Sequence, residues 1–263
     1  MGSEGREEQT LATDQDNAIV YEDVPAEKEE EVRKYFSRLG EKVCDNLAAV
    51  GYRYCKGEIM AKNAKWCQSF SAWKKFFTNW VTTSSPQDIL DIKIFFDFRF
   101  VYGHEDFASQ LQDHVNHITS SFSTFFVYMG ESVLNINIPE NMQKLKSSID
   151  LKLVLLPIVD YARLYSIKNR LNETNTYRRL EALRDSRIIN NSLFNSVIYY
   201  YNFVMHKRLK HHVGSFDAKV EPDNMLTVAN LSEIDSTVFK NYFEFVESLK
   251  NKISMDLKGI KNF

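Results

Sequence analysis

From Leu111 to Leu257 apolar residues return every three or four positions, and in the whole chain of 263 residues only nine Gly and five Pro interrupt the pattern. A period near 3.6 gives each segment one face to bury and one to leave in water, so this stretch predicts amphipathic helices packed on one another. Leu111, Val115, Ile118, Phe122, Phe125 and Phe126 predict one helix, and Leu193, Val197, Tyr200, Tyr201, Val204 and Leu209 another. Leu231, Ile234, Val238, Tyr242, Phe245, Leu249, Ile253 and Leu257 predict a last one, with Ser232 as its N-cap. No further strand is expected beyond Gly103. We place a domain boundary there, with residues 105–263 as a helical bundle.

Residues 1–104 read differently. A polar stretch leads into Ala18-Ile19-Val20-Tyr21, a predicted strand, and Glu29 to Val50 carries a helical apolar pattern that Gly51 is placed to cap. A second helix is predicted from Ala64 to Val81, with Trp66, Phe70, Trp73, Phe77 and Trp80 on one face. Such a stripe predicts core rather than a cofactor box. After Ser84-Ser85-Pro86 a short helix or turn is expected, then a strand over Ile92 to Phe100, where β-favouring residues dominate. The fold class is therefore α+β, a small mixed domain at residues 1–104 followed by an all-α one.

Composition excludes several classes. A formal net charge of −2 gives no reason to expect a polyanion, so bulk nucleic acid is not an expected partner. Cys44, Cys55 and Cys67 are an odd count without a paired metal-ligand spacing, which predicts reduced thiols. The most apolar run, Leu151 to Val159, ends at Asp160 and Arg163, well short of the roughly 18 residues a membrane span needs. Asp160 and Arg163 are predicted to pair inside the bundle. No basic-then-apolar leader opens the sequence, and the expected location is cytoplasmic. His114, His117, His206, His211 and His212 are expected on solvated helix surface, and no Ser/His/Asp pattern points to a hydrolase.

The chemistry concentrates in Gly2-Ser3-Glu4-Gly5-Arg6 and in Asp14-Gln15-Asp16-Asn17. A Gly-Ser turn lets backbone N–H groups and a hydroxyl come close to triphosphate oxygens, and Arg6 is a candidate either for phosphate contact or, equally, for pairing with Glu7 or Glu8. Asp14 and Asp16 occupy alternate positions of extended chain, so both carboxylates project from one face. Two such groups can bridge divalent cations, and their hard oxygens suit Mg2+ or Mn2+. Lys56 and Lys62 are further candidates for triphosphate contact.

These segments carry a resemblance. The Gly-Ser turn followed by Asp-x-Asp resembles the signature of the polymerase-beta nucleotidyltransferase superfamily. The longer string Gly-Ser-Glu-Gly-Arg through Thr-Leu-x-Thr-Asp-Gln-Asp-Asn-Ala is similar to a bacterial nucleotidyltransferase family often fused to CBS or cyclic-nucleotide-binding domains and related to the PII-protein uridylyltransferase. Cys55-Lys56-Gly57-Glu58-Ile59-Met60-Ala61 with Trp66 and Trp73, Ile94 to Arg99, Ile149 to Lys152, Pro157 to Arg163 and Asn175 to Leu180 extend the resemblance over nearly the whole chain.

The resemblance implies a palm domain, here lacking its usual N-terminal elements and any upstream regulatory domain, and a C-terminal substrate-binding domain. It implies a third metal-binding and catalytic carboxylate, assigned to Asp97, beside Asp14 and Asp16, with Gly2, Ser3 and Arg6 holding the nucleotide. The implied reaction moves NMP from a nucleoside triphosphate to an acceptor hydroxyl, with a protein side chain as the acceptor in the uridylyltransferase relative. A non-catalytic nucleotide-sensing or protein-interaction module is the alternative, against which three retained neighbouring carboxylates argue.

Overall fold

The structure, a computed structural model, describes residues 1–83, 89, 93–139 and 147–261. The turn predicted after Ser84-Ser85-Pro86 lies outside the described residues. The chain divides into two compact units: one holds residues 1–9, 13–83 and 93–121, the other residues 10–12, 89, 122–139 and 147–261.

The first unit opens on a single helical turn, α1 (Gly2–Gly5), and continues through β1 (Asp14–Gln15), β2 (Ile19–Tyr21), α2 (Ala26–Ala49), β3 (Arg53–Tyr54), β4 (Cys67–Ser69), α3 (Phe70–Thr82) and α4 (Asp106–Thr119). Its strands form two parallel pairs. β1 runs beside β3 with Asp14 opposite Arg53 and Gln15 opposite Tyr54, and β2 beside β4 with Ile19 opposite Cys67. The α2 helix begins earlier than its apolar pattern, behind Pro25, and ends where Gly51 takes φ +107°. Gly40 of α2 is needed where it stands, because a Cβ there would lie 2.4 Å from the Ala61 carbonyl oxygen.

Two predicted elements of this unit come out differently. The helix expected from Ala64 begins only at Phe70, since Cys67–Ser69 extends to pair with β2 and Ser69 Oγ then caps α3 by accepting from the Ala72 N–H. The strand expected over Ile92 to Phe100 is, among its described residues, a 3-10 turn at Lys93–Phe96. In a strand Phe95 and Phe96 would point to opposite faces. Here both are buried, Phe95 against Trp66 and Trp80 and Phe96 against Phe77. With Trp73 and Phe77 each 1% exposed, the aromatic stripe of α3 is core as predicted. The α4 helix, which lies beyond the predicted boundary at Gly103, packs on α3 in this unit.

The second unit is helical: α5 (Ser123–Leu134), α6 (Leu151–Lys168), α7 (Thr176–Asp185), α8 (Asn191–Asp217) and α9 (Glu233–Lys261). The single helix predicted through Leu111 and Phe126 is thus two, the first ending at Thr119 and the second starting at Ser123 after a turn at Ser120 and Ser121. Almost all of α6 is buried, with α5, α7 and α8 packed around it. Side-chain caps open four of its helices: Asp150 for α6, Asn175 for α7, Asn190 for α8 and Ser232 for α9 as predicted. A short antiparallel pair, β5 (Ser148–Asp150) with β6 (Met225–Thr227), was not predicted; three residues with one flanking turn leave too little alternation to read. Asp160 and Arg163 pair inside this unit, their side chains 2% and 4% exposed.

Candidate functional site

The site grows from the pairing of β1 with β3. Gln15 is buried, and its side-chain amide donates to the Cys44 carbonyl at 3.0 Å and the Tyr52 carbonyl at 3.3 Å, pinning the segment to the end of α2 and the turn beyond it. Alternation then turns the flanking Asp14 and Asp16 to the opposite side. Asn17 holds the downstream end: its N–H donates to the Ile59 carbonyl, and its Oδ1 accepts from the Ala61 N–H at 2.8 Å and from the Cys44 thiol at 3.5 Å.

Carrying the parallel register one residue past Gln15 and Tyr54 sets Asp16 opposite Cys55. One ligand atom from each of Asp14, Asp16 and Cys55 lies within 4.8 Å of the others, so these side chains could hold a metal ion. Asp16 and Cys55 are each 9% exposed. Burial first, and then the hydrogen bond to Asp16, push the Cys55 thiol above its ordinary value. Two carboxylates and a thiol within one small space form a donor set that fits a divalent cation.

The α1 turn wedges between the two acidic stretches. Gly2 has φ +55°, and a Cβ there would lie 3.1 Å from Asp16 Oδ2 and 2.7 Å from Ile94 Cγ1. A Cβ on Gly5 would sit 1.8 Å from the Asp97 carbonyl oxygen, so only glycine fits. Ser3 accepts the Glu8 N–H on its carbonyl at 2.9 Å. Arg6 donates from Nη1 to Asp97 Oδ2 at 2.6 Å and from Nε to Glu8 Oε2 at 2.8 Å. Asp97 is fully buried in this contact. It thus sits across α1 on Arg6, and the close three-donor group comprises Asp14, Asp16 and Cys55.

Other candidates lie elsewhere. Lys62 is tied to Asp45 at 3.0 Å, beside the Tyr54 hydroxyl. His114 is not solvated surface: its Nε2 lies 2.9 Å from Thr78 Oγ1 and 3.1 Å from the Lys74 carbonyl, and burial lowers its pKa. His212, in the second unit, is fully buried, with Nδ1 3.4 Å from the Ala12 N–H, and burial lowers its pKa too. Among the described residues no helix is long and apolar enough to cross a membrane. Cys55 was missed as a site residue. Its place beside Asp16 depends on a parallel pairing across the whole of α2, which no local spacing reports.

Comparison with known proteins matches two family profiles to the chain. A family profile described as "Putative nucleotidyltransferase DUF294" matches residues 1–87, which carry α1, Asp14, Asp16 and Cys55. A second, described as "Putative nucleotidyltransferase substrate binding domain", matches residues 132–257 within the helical unit. No curated protein matches the chain. The first unit is therefore that of a nucleotidyltransferase-like protein, and helical residues matching the second description follow it. The chain belongs to the nucleotidyltransferase family that these two descriptions name.

Proposed function

We propose that the chain transfers a nucleotidyl group from a nucleoside triphosphate to an acceptor hydroxyl at the Asp14–Asp16 face. The observation that carries this reading is the convergence of Asp14 and Asp16 within 4.8 Å of one another and of Cys55, inside the region the nucleotidyltransferase profile matches. Held there, Mg2+ or Mn2+ would supply charge neutralisation of the triphosphate and a lowered pKa for the attacking hydroxyl. Asp14 and Asp16 would hold the cation on a segment anchored by Gln15 and Asn17. The acceptor oxygen attacks the α-phosphorus in line; the bond from that phosphorus to the bridging oxygen breaks, and pyrophosphate leaves with the electron pair. The hydroxyl proton passes to a neighbouring carboxylate or to water.

Gly2, Ser3 and Arg6 hold the triphosphate tail in this proposal, and Asp97 is the third carboxylate. Arg6 and Asp97 occupy each other in the structure. A triphosphate oxygen is a strong partner for a guanidinium. Exchange of Arg6 from Asp97 to the tail would free the Asp97 carboxylate as the nucleotide arrives. A protein side chain is the acceptor class in this proposal, and the helical region at 132–257 is where the substrate would be read.

Incubation with Mn2+ and each nucleoside triphosphate labelled at the α-phosphate tests this reading. Label transfer or pyrophosphate release is expected, reduced at least about a hundredfold by Asp14→Asn, since the cation's contribution is several kcal/mol. Nucleotide binding without release in any of the four reactions would instead make the chain a nucleotide-sensing module.

A further inference from the structure

We propose that Asp14, Asp16 and Cys55 form a mixed oxygen and sulfur site that takes a thiophilic divalent cation of the zinc class, in competition with magnesium. The proposal deepens the Asp14–Asp16 reading above and rests on it. Its first support is topological. β3 returns parallel to β1 after α2, and the register that sets Gln15 opposite Tyr54 brings Cys55 to Asp16. The second is distance. Donor atoms sharing one four-coordinate zinc-class ion lie about 3.5 Å apart, from metal–ligand bonds of about 2.0 to 2.3 Å. The three donor atoms here already lie within 4.8 Å of one another, so small rotations about the side-chain bonds close the set. The third is specificity among the three cysteines. Cys44 donates its thiol to Asn17 Oδ1, and Cys67 is 2% exposed in the β4 core, its thiol pushed up to about 11 by burial.

Ligand chemistry then separates two classes of cation. Mg2+ takes oxygen donors almost exclusively and gains nothing from sulfur, so it would use Asp14 and Asp16 and leave Cys55 as a thiol hydrogen-bonded to Asp16. A zinc-class ion takes the sulfur as well: the S–H bond breaks, the metal–sulfur bond forms, and the proton leaves to solvent. A fourth position stays for water. Zinc bound in this way would occupy the carboxylates that magnesium needs, so the same three residues could report the balance between the two ions.

Co2+ and Cd2+ are spectroscopic stand-ins for zinc, because sulfur bound to either gives a charge-transfer absorption that oxygen ligands do not. Titration of the full chain, without nucleotide, is expected to give one equivalent of that band. The band should vanish in Cys55→Ser, weaken at least tenfold in apparent affinity in Asp14→Asn, persist in Cys44→Ser, and be lost on adding excess Mg2+ to the wild-type protein. The Mg2+ competition needs no variant and so decides the matter even if Cys55→Ser fails to fold. A band that survives Cys55→Ser, moves with Cys44, resists Mg2+ or never forms in the folded wild-type chain overturns the proposal. Nucleotidyl transfer without the band sinks the mixed site alone, and the band without transfer sinks the proposed reaction alone.

Discussion

Gln15 lies between the two candidate ligands and contributes no charge, yet it does the positioning. Its amide satisfies the Cys44 and Tyr52 carbonyls in a buried setting, and that contact determines which way the aspartates on either side face. A Gln15→Leu substitution would keep the volume and lose both hydrogen bonds, one of them buried, at a cost of about 0.5 to 1.5 kcal/mol for each. Thermal denaturation should show that loss. Mn2+ affinity of the folded fraction should fall as well, because a loosened segment no longer presents Asp14 and Asp16 together. Unchanged Mn2+ affinity in a folded variant would show that the aspartates are positioned without Gln15.

At the scale of elements, legibility follows locality. The α2 helix, the α3 aromatic face and the Ser232 cap were readable because each is set by residues within a few turns of itself. The Asp14 and Asp16 pair was readable because alternation in extended chain is a local rule. What could not be read depends on distant partners. Lys93–Phe96 has strand-like composition, but the two adjacent Phe side chains are both buried against the α3 aromatic face, Phe95 on Trp73 and Trp80 and Phe96 on Phe77, which a turn permits and a strand does not. Cys67–Ser69 continues a helical pattern, and pairing with β2 overrides it. Arg6 was read as a phosphate contact and Asp97 as a ligand, each from its own neighbourhood. Their mutual ion pair joins residues 91 positions apart in sequence and becomes visible only in the fold.

The whole molecule should respond to pH through two histidines, the half-buried His114 in one unit and the buried His212 in the other. His114 is held against Thr78 and Lys74 of α3 with His117 near it, and His212 packs near Arg208, His211, Asp223 and Asn224. Burial lowers both below the ordinary value of 6.5, so the unfolded chain binds protons more readily than the folded one. Stability is therefore full above about pH 6.5 and falls as pH drops below that value towards the folded-state pKa. Melting temperatures across pH 7.5 to 5 should decline, and His212→Asn should flatten the decline; a flat wild-type profile would contradict the assignment. The central claim is narrower: parallel pairing of β1 with β3 builds a divalent-cation site from Asp14 and Asp16. Mn2+ binding followed by electron paramagnetic resonance, with a non-hydrolysable nucleoside triphosphate present, tests it most directly. The account predicts that Mn2+ binds the wild-type chain and that Asp14→Asn or Asp16→Asn weakens it by about a hundredfold. Equal Mn2+ affinity in the wild-type chain and both variants would contradict it.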